Sequence, residues 1–215
     1  GNANFTVMKA LPYAVQVLKF NMAQGPGTDL NFRRAIAQAI NAEEILGTAY
    51  PDLYLMDQSW GYPGSPYHTG RALLKQDVAA AKASLAKSSY KGEKLIFIID
   101  NIRPNVDAAT VFQQQVAAIG VNIELKVGDW PTISGIGLKS DQGWNFWTHG
   151  FGIEPYEGPA SAMSHWVKGQ GQRKADPVID DLFAKLNSEM DVGAQKKLFA
   201  DFENRMADQA IAINL

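Results

Sequence analysis

Apolar and polar positions recur along this chain with two periods, and their order predicts most of its elements. Helical spacing follows a break at Gly25-Pro26-Gly27, where Phe32, Ala35, Ile36, Ala39 and Ile40 form one stripe and Asp29 stands ready as N-cap. Asn41 with Glu44 has the form of a capping box opening another helical turn or two. Leu74, Val78, Ala81 and Leu85 make a further stripe with Asp77 near its start, and Ala109, Phe112, Val116 and Ile119 make one that Gly120 should stop. Asp176-Pro177 and Asp191 open two last helices, with stripes at Ile179, Leu182, Phe183, Leu186 and at Leu198, Phe199, Phe202, Met206.

Strands show a different pattern. KLIFIID (94–100) is nearly all apolar, as expected of a strand covered on both faces, whereas VNIELKV (121–127) alternates and should have one wet face. With a helix between them they form a strand–helix–strand unit, which crosses over right-handed into a parallel pair. Val7 to Met22 reads as two extended segments around Leu11-Pro12, the second being AVQVLKFNM, and the chain closes on the apolar strand AIAINL. Asp129 with Trp130-Pro131 starts a short helix that gives way near Gly135 and Gly137, and Ser161 to Val167 reads as a helical turn before a polar link, Lys168 to Lys174. The class expected is α/β, a mixed central sheet with helices on both faces.

Two stretches lose periodicity. Ala49 to Gly70, rich in Pro, Gly and Tyr, predicts a long ordered surface loop, in which Trp60 and Tyr62 either wall a ligand or pin the loop to its own domain. Gly143 to Ala160, GWNFWTHGFGIEPYEGPA, predicts a short aromatic strand over Trp144 to Thr148 and then a loop holding Glu154, Glu157, Pro155, Pro159 and several glycines. Strand-to-loop transitions of this kind at the edge of an α/β sheet are where ligands tend to sit, and ordinary surface loops look the same. Arg33 and Arg34 are read as solvating or pairing locally.

Composition narrows the chemistry. The 215 residues suit one large domain or two small ones, and 46% apolar with 20% charged residues is the balance of a soluble globular protein. Twenty basic against 22 acidic side chains give no reason to expect nucleic acid, and no apolar run is long enough to span a bilayer. Without cysteine there are no disulfides, thiolate metal sites or thiol catalysis. None of the common nucleophile, phosphate-loop, zinc-helix or dinucleotide motifs occurs. His68, His149 and His165 lack metal-ligand spacing, so no metal or cofactor is expected, although His149, Glu154 and His165 could be drawn together as a zinc or nickel site. Glu154 and Glu157 could act as paired carboxylates in a hydrolase, a pattern common in plain loops.

Read end to end, VLKFNM before the Gly/Pro break, DLNFRRAIAQAINAEEIL, the Pro/Tyr-rich loop, DVAAAKASLAKS, FQQQVAAIGVNIELKVGDW, the aromatic strand and DPVIDDLFAKLNSEMD come in a distinctive order. From about Val15 to Leu215 the chain resembles the C-terminal lobe of the extracellular solute-binding proteins, family 5, that feed peptide and nickel ABC importers.

The resemblance implies a type II periplasmic-binding-protein-like lobe, 1–215 forming a single domain cut from a larger two-lobed protein. Its crossover strands would lie near 14–22 and 210–215, and an N-terminal lobe would be missing, in keeping with an opening Gly1-Asn2-Ala3 that has neither initiator Met nor signal peptide. It implies that Gly150, Phe151 and Gly152 approach the ligand backbone, that Glu154 takes a cationic group, and that Trp130 lines a side-chain pocket. The partners implied are a small peptide-like solute and an ABC permease, in the periplasm or outside the cell. The chain departs from the family pattern with Glu where Asp is usual and one extra residue before Pro159. Related members bind sugars, opines or metal complexes. A free-standing sensor or scaffold domain of the same fold and, further off, a carboxylate-based hydrolase are the alternative functions.

Overall fold

The computed structural model describes residues 6, 8, 14–51, 53–153, 157–167 and 175–215, apart from the side chain of His149. The first of the two extended segments and the polar link at 168–174 therefore lie outside the described residues. Among the described residues five strands, β1 (Ala14–Phe20), β2 (Leu95–Asp100), β3 (Ile123–Gly128), β4 (Phe146–Gly152) and β5 (Ala212–Asn214), form one sheet in the order β3-β2-β4-β1-β5. β2 is parallel to both β3 and β4, and β1 runs antiparallel to β4 and β5, so the sheet is mixed.

Among the described residues eight α-helices pack around it: α1 (Leu30–Ala39), α2 (Ala42–Ala49), α3 (Val78–Ala86), α4 (Arg103–Ala117), α5 (Trp130–Gly137), α6 (Pro159–Ser164), α7 (Pro177–Ser188) and α8 (Val192–Asp208). Strand alternation sorts the core between two faces. Phe97 of β2 and Phe146 of β4 meet Phe112 of α4, with ring centroids 5.3 and 5.5 Å away. Ile98 and Trp147, one residue further on, pack instead with Ile133 of α5 and with Trp144.

The expected caps form as acids and amides accept orphan N–H groups: Asp29 from Asn31, Asp77 from Ala80, Asp129 from Thr132, Asp176 from Val178 and Asp191 from Ala194. The capping box at Asn41 closes differently. Asn41 Oδ1 accepts from the Glu44 N–H, but the Asn41 N–H goes to Oε1 of Gln115 on α4, whose Nε2 in turn donates to the Glu44 carboxylate at 2.7 Å. A long-range residue has taken the place that Glu44 would fill in an isolated helix. Gly120, at φ +95, ends the turn after α4 as the sequence predicts.

Three sequence expectations are corrected. The aromatic strand neither starts at Trp144 nor ends at Thr148: it runs from Phe146 to Gly152, because β1 continues to pair with it as far as Ala14 opposite Gly152. Glycines carry no side chain to show alternation, yet their backbones hold the ladder. Leu74 precedes α3 and is exposed rather than part of its stripe. Arg33 is buried, and its guanidinium donates to the carbonyls of Gly27, Gln209 and Ala210, tying α1 to the turn before it and to the end of α8. Burial lowers its pKa to about 10, against the raising effect of Asp29. Helix-end carbonyls carry partial negative charge and so accept a cation well.

Candidate functional site

The carboxyl ends of the parallel strands β2, β3 and β4 lie along one edge of the sheet, the place where open α/β sheets bind ligands. β2 pairs with β4 only at Phe97–Phe146 and Ile98–Trp147, whereas β1 follows β4 through to Gly152. Past Trp147, β4 therefore has a strand on one flank and, among the described residues, none on the other. That stretch of backbone includes Gly150 and Gly152, both exposed.

Gly150 sits against β1. A Cβ there would lie 3.5 Å from Gln16 Oε1 and 3.9 Å from Ala14, which is ordinary contact, so crowding within these residues does not require glycine. Ala14 and Gln16 also line a hollow of about 190 Å³ whose other walls are Leu46, Tyr50, Leu53 and Leu215. Leu53 on its rim is 65% exposed. The Tyr50 hydroxyl donates to Asn105 Oδ1 at 3.0 Å, and Asn105 Nδ2 donates to both oxygens of the buried Asp100 at the end of β2. Burial, and then the charge of Asp100, push the Tyr50 hydroxyl pKa up, so the phenol holds its proton.

Phe151 is buried, 8% exposed. Its ring is stacked on Trp60 at 6.1 Å and 12°, lies 4.6 Å from the His165 ring and meets Trp166 edge-on at 6.3 Å. Phe151 thus keeps its ring inside. Trp60 itself is 3% exposed, which makes it a pin for the long loop. Trp130 is the exposed aromatic of the edge, 45% accessible at the first position of α5, with its ring 6.2 Å from that of Trp147. Trp130 and the Gly150–Gly152 segment are separated in the sheet by β2 and linked through Trp147 of β4.

Glu154, the acid singled out from the sequence, lies outside the described residues, as does the side chain of His149. Glu157 accepts from the Ser161 hydroxyl at 2.8 Å, a local bond at the start of α6. Among the described residues no three His, Cys, Asp or Glu side chains gather as a metal site would need.

One group escaped the sequence reading. Lys19 stands opposite Trp147 in the β1–β4 register and is 6% exposed. Its Nζ lies 5.2 Å from the Trp147 ring centroid and 5.3 Å from that of Trp166, contacts worth about 2 kcal/mol when desolvated. A single Lys inside the buried run VLKF was the available signal.

A family model described as "Bacterial extracellular solute-binding proteins, family 5 Middle" matches residues 1–174. Among solved structures, the ABC transporter substrate-binding protein CtaP of Listeria monocytogenes superposes with a TM-score of 0.88 at 23% identity, covering 96% of this chain and 44% of that one. A dipeptide-binding protein of Pseudoalteromonas, in complex with Met-Leu, gives 0.84 at 20% identity with 96% and 43% covered. NikA of Staphylococcus aureus, in complex with nickel and histidine, gives 0.76 at 23% identity with 99% and 48% covered. The chain thus spans a little under half the length of these structures, and they share its fold.

Proposed function

The chain belongs to the bacterial extracellular solute-binding proteins of family 5, and from that premise we propose that it supplies one wall of the solute cleft in a receptor serving an ABC importer. The observation that carries this reading is the edge at the carboxyl ends of β2, β3 and β4, which holds the exposed Gly150 and Gly152 and the half-exposed Trp130. A peptide-like solute lies along this edge close to the backbone of the two glycines, which have no side chain to keep it away. Trp130 supplies a flat apolar wall, and Glu154, two residues past β4, takes the solute's cationic group.

In this reading β1 and β5, side by side at Val17–Asn214, are the strands that cross to a second, N-terminal lobe, which closes over the solute. The assembled receptor works in the periplasm or outside the cell and delivers its solute to a membrane permease. Among the described residues no helix is long and apolar enough to cross a membrane. A hydrolase built on Glu154 and Glu157 is the weaker alternative, since Glu157 is engaged by Ser161.

Calorimetric titration of a panel of di- to pentapeptides into this chain, and into the longer native protein, tests the proposal. The longer protein should bind a subset, and the 215-residue chain the same subset far more weakly, because one wall leaves polar contacts screened by water while the entropy lost on association is still due in full. Equal affinities would favour a free-standing binding domain. No binding by either would reject a peptide solute.

A further inference from the structure

One buried carboxylate clamps the connection between α2 and α3. Glu203 of α8 is 1% exposed, and its three hydrogen-bond donors all belong to that connection. Oε1 accepts from the Ser59 hydroxyl at 2.7 Å and the Trp60 backbone N–H at 2.6 Å, and Oε2 accepts from the Thr69 hydroxyl. Both ends of a bend are thereby fastened to a single carboxyl group. Asp57 closes the bend from within, accepting from the Ser59 N–H at 2.8 Å and pairing with His68 Nε2 at 2.6 Å. Asn214 of β5 donates through Nδ2 to the Ser59 carbonyl at 2.9 Å. Where the bend crosses α8 there is no slack: a Cβ on Gly61 would lie 3.1 Å from the Phe199 ring.

The residue held at the centre of this clamp is Trp60, whose indole stacks on Phe151 and meets Trp166 edge-on at 4.9 Å. Phe151 is flanked by Gly150 and Gly152, so in that stretch its ring is the side chain that packs inward. Whatever moves Trp60 moves the bed on which Phe151 rests.

We propose that Glu203 is a positioning residue for the candidate site: by fastening Ser59, Trp60 and Thr69 it fixes the Trp60 indole against Phe151, and so sets where the Gly150–Gly152 backbone lies. The proposal deepens the reading of that backbone as a solute wall and rests on it, but the link from Glu203 to β4 can be measured without any solute. A failure of peptide binding and a failure of this link are therefore separate results.

The measurement is amide hydrogen exchange on the whole chain, with near-ultraviolet circular dichroism of the tryptophans, for the wild type and for Glu203→Gln, Glu203→Leu and Trp60→Leu. A charge-assisted buried hydrogen bond sets the scale. Glu203→Leu should speed exchange at 57–69 and at 150–152 about ten- to a hundredfold on that scale, leave β2 and β3 as they were, and weaken the signal of the Trp60–Trp166 pair. Glu203→Gln keeps an oxygen for Ser59 and Trp60 and should fall in between. Trp60→Leu should loosen 150–152 by itself, and adding Glu203→Leu should then change that segment little, because the two residues act in series. Exchange at 150–152 unchanged while 57–69 loosens would overturn the proposal, as would fully additive effects of the two substitutions. Thr69→Val removes one donor and reads the same link if Glu203→Leu does not fold.

Discussion

The Cβ that Gly137 lacks would fall 2.5 Å from the indole ring of Trp147. Trp147 is buried, with the rings of Trp130 and Trp144 centred 6.2 and 6.3 Å away, so relieving the overlap means shifting the indole or the end of α5. Gly137→Ala should therefore destabilise the fold by about 1–3 kcal/mol, less roughly 1 kcal/mol of gained helix propensity at the end of α5. The fall should appear in the urea midpoint. Adding Trp147→Phe should recover part of it, and recovery absent from the double variant would show that the two residues are not in conflict.

Trp130→Ala separates binding from folding. Its side chain is nearly half exposed, so the melting point should move little, by the equivalent of about 0.5–1 kcal/mol, while peptide affinity of the longer protein drops. Calorimetry and a thermal scan on the same preparation decide it. An unchanged affinity would remove Trp130 from the site.

Glu154→Gln should weaken a solute bearing a free amino group by about ten- to a hundredfold, the scale of one charge-assisted hydrogen bond of about 1.5–3 kcal/mol. The same peptide with an acetylated amino group should not distinguish the two proteins. If both peptides lose affinity equally, Glu154 supports the loop and does not read the charge.

Asp29 and Glu203 should respond to pH in opposite senses. At Asp29 burial works upward, but hydrogen bonds from Asn31 and Ser89 outweigh it and hold the carboxyl below its usual 3.8. Its contribution is then present above pH 3.8 and lost as pH falls through the lower folded value. At Glu203 burial prevails over the bonds from Thr69, Trp60 and Ser59, so the folded carboxyl sits above 4.5. Its favourable share is fully present below pH 4.5 and declines as pH rises through the folded value. Relative to Glu203→Gln, the wild type should gain stability as pH is lowered from 7 toward 4.5, and urea curves at a series of pH values would show it. A constant difference would mean that the hydrogen bonds cancel the effect of burial at this carboxyl, and a difference that grows with pH that they outweigh it.

The helices were legible because their stripes and caps are local: Asp77, Asp129, Asp176 and Asp191 each reach an N–H two or three residues away. The parallel β2–β3 pair was legible for the same reason, since its crossover helix is read within one continuous stretch. What escaped depends on partners far along the chain. The end of β4 looks like loop because glycines hide its alternation, and only β1, about 130 residues earlier, shows it to be strand. That Trp60 and Trp166 enclose the Phe151 ring is not visible locally, because both partners belong to other segments. Arg33 lies beside Arg34 on a helix whose stripe does not include it, and two of its three acceptors, Gln209 and Ala210, belong to the other end of the sequence.

That buried guanidinium has a consequence for how the chain is made. When Arg33 is added to the growing chain, the Gly27 carbonyl that it will grip is already present, but Gln209 is still 176 residues away. Until then Arg33 must stay hydrated, for a cation of this kind does not enter an apolar interior without its acceptors. β1 waits likewise, since both of its neighbours, β4 and β5, come from the later part of the chain. The early segments can collapse locally, but they lock only when α8 and β5 arrive, so a ribosome stalled before residue 209 should carry a chain whose α1 exchanges its amides freely.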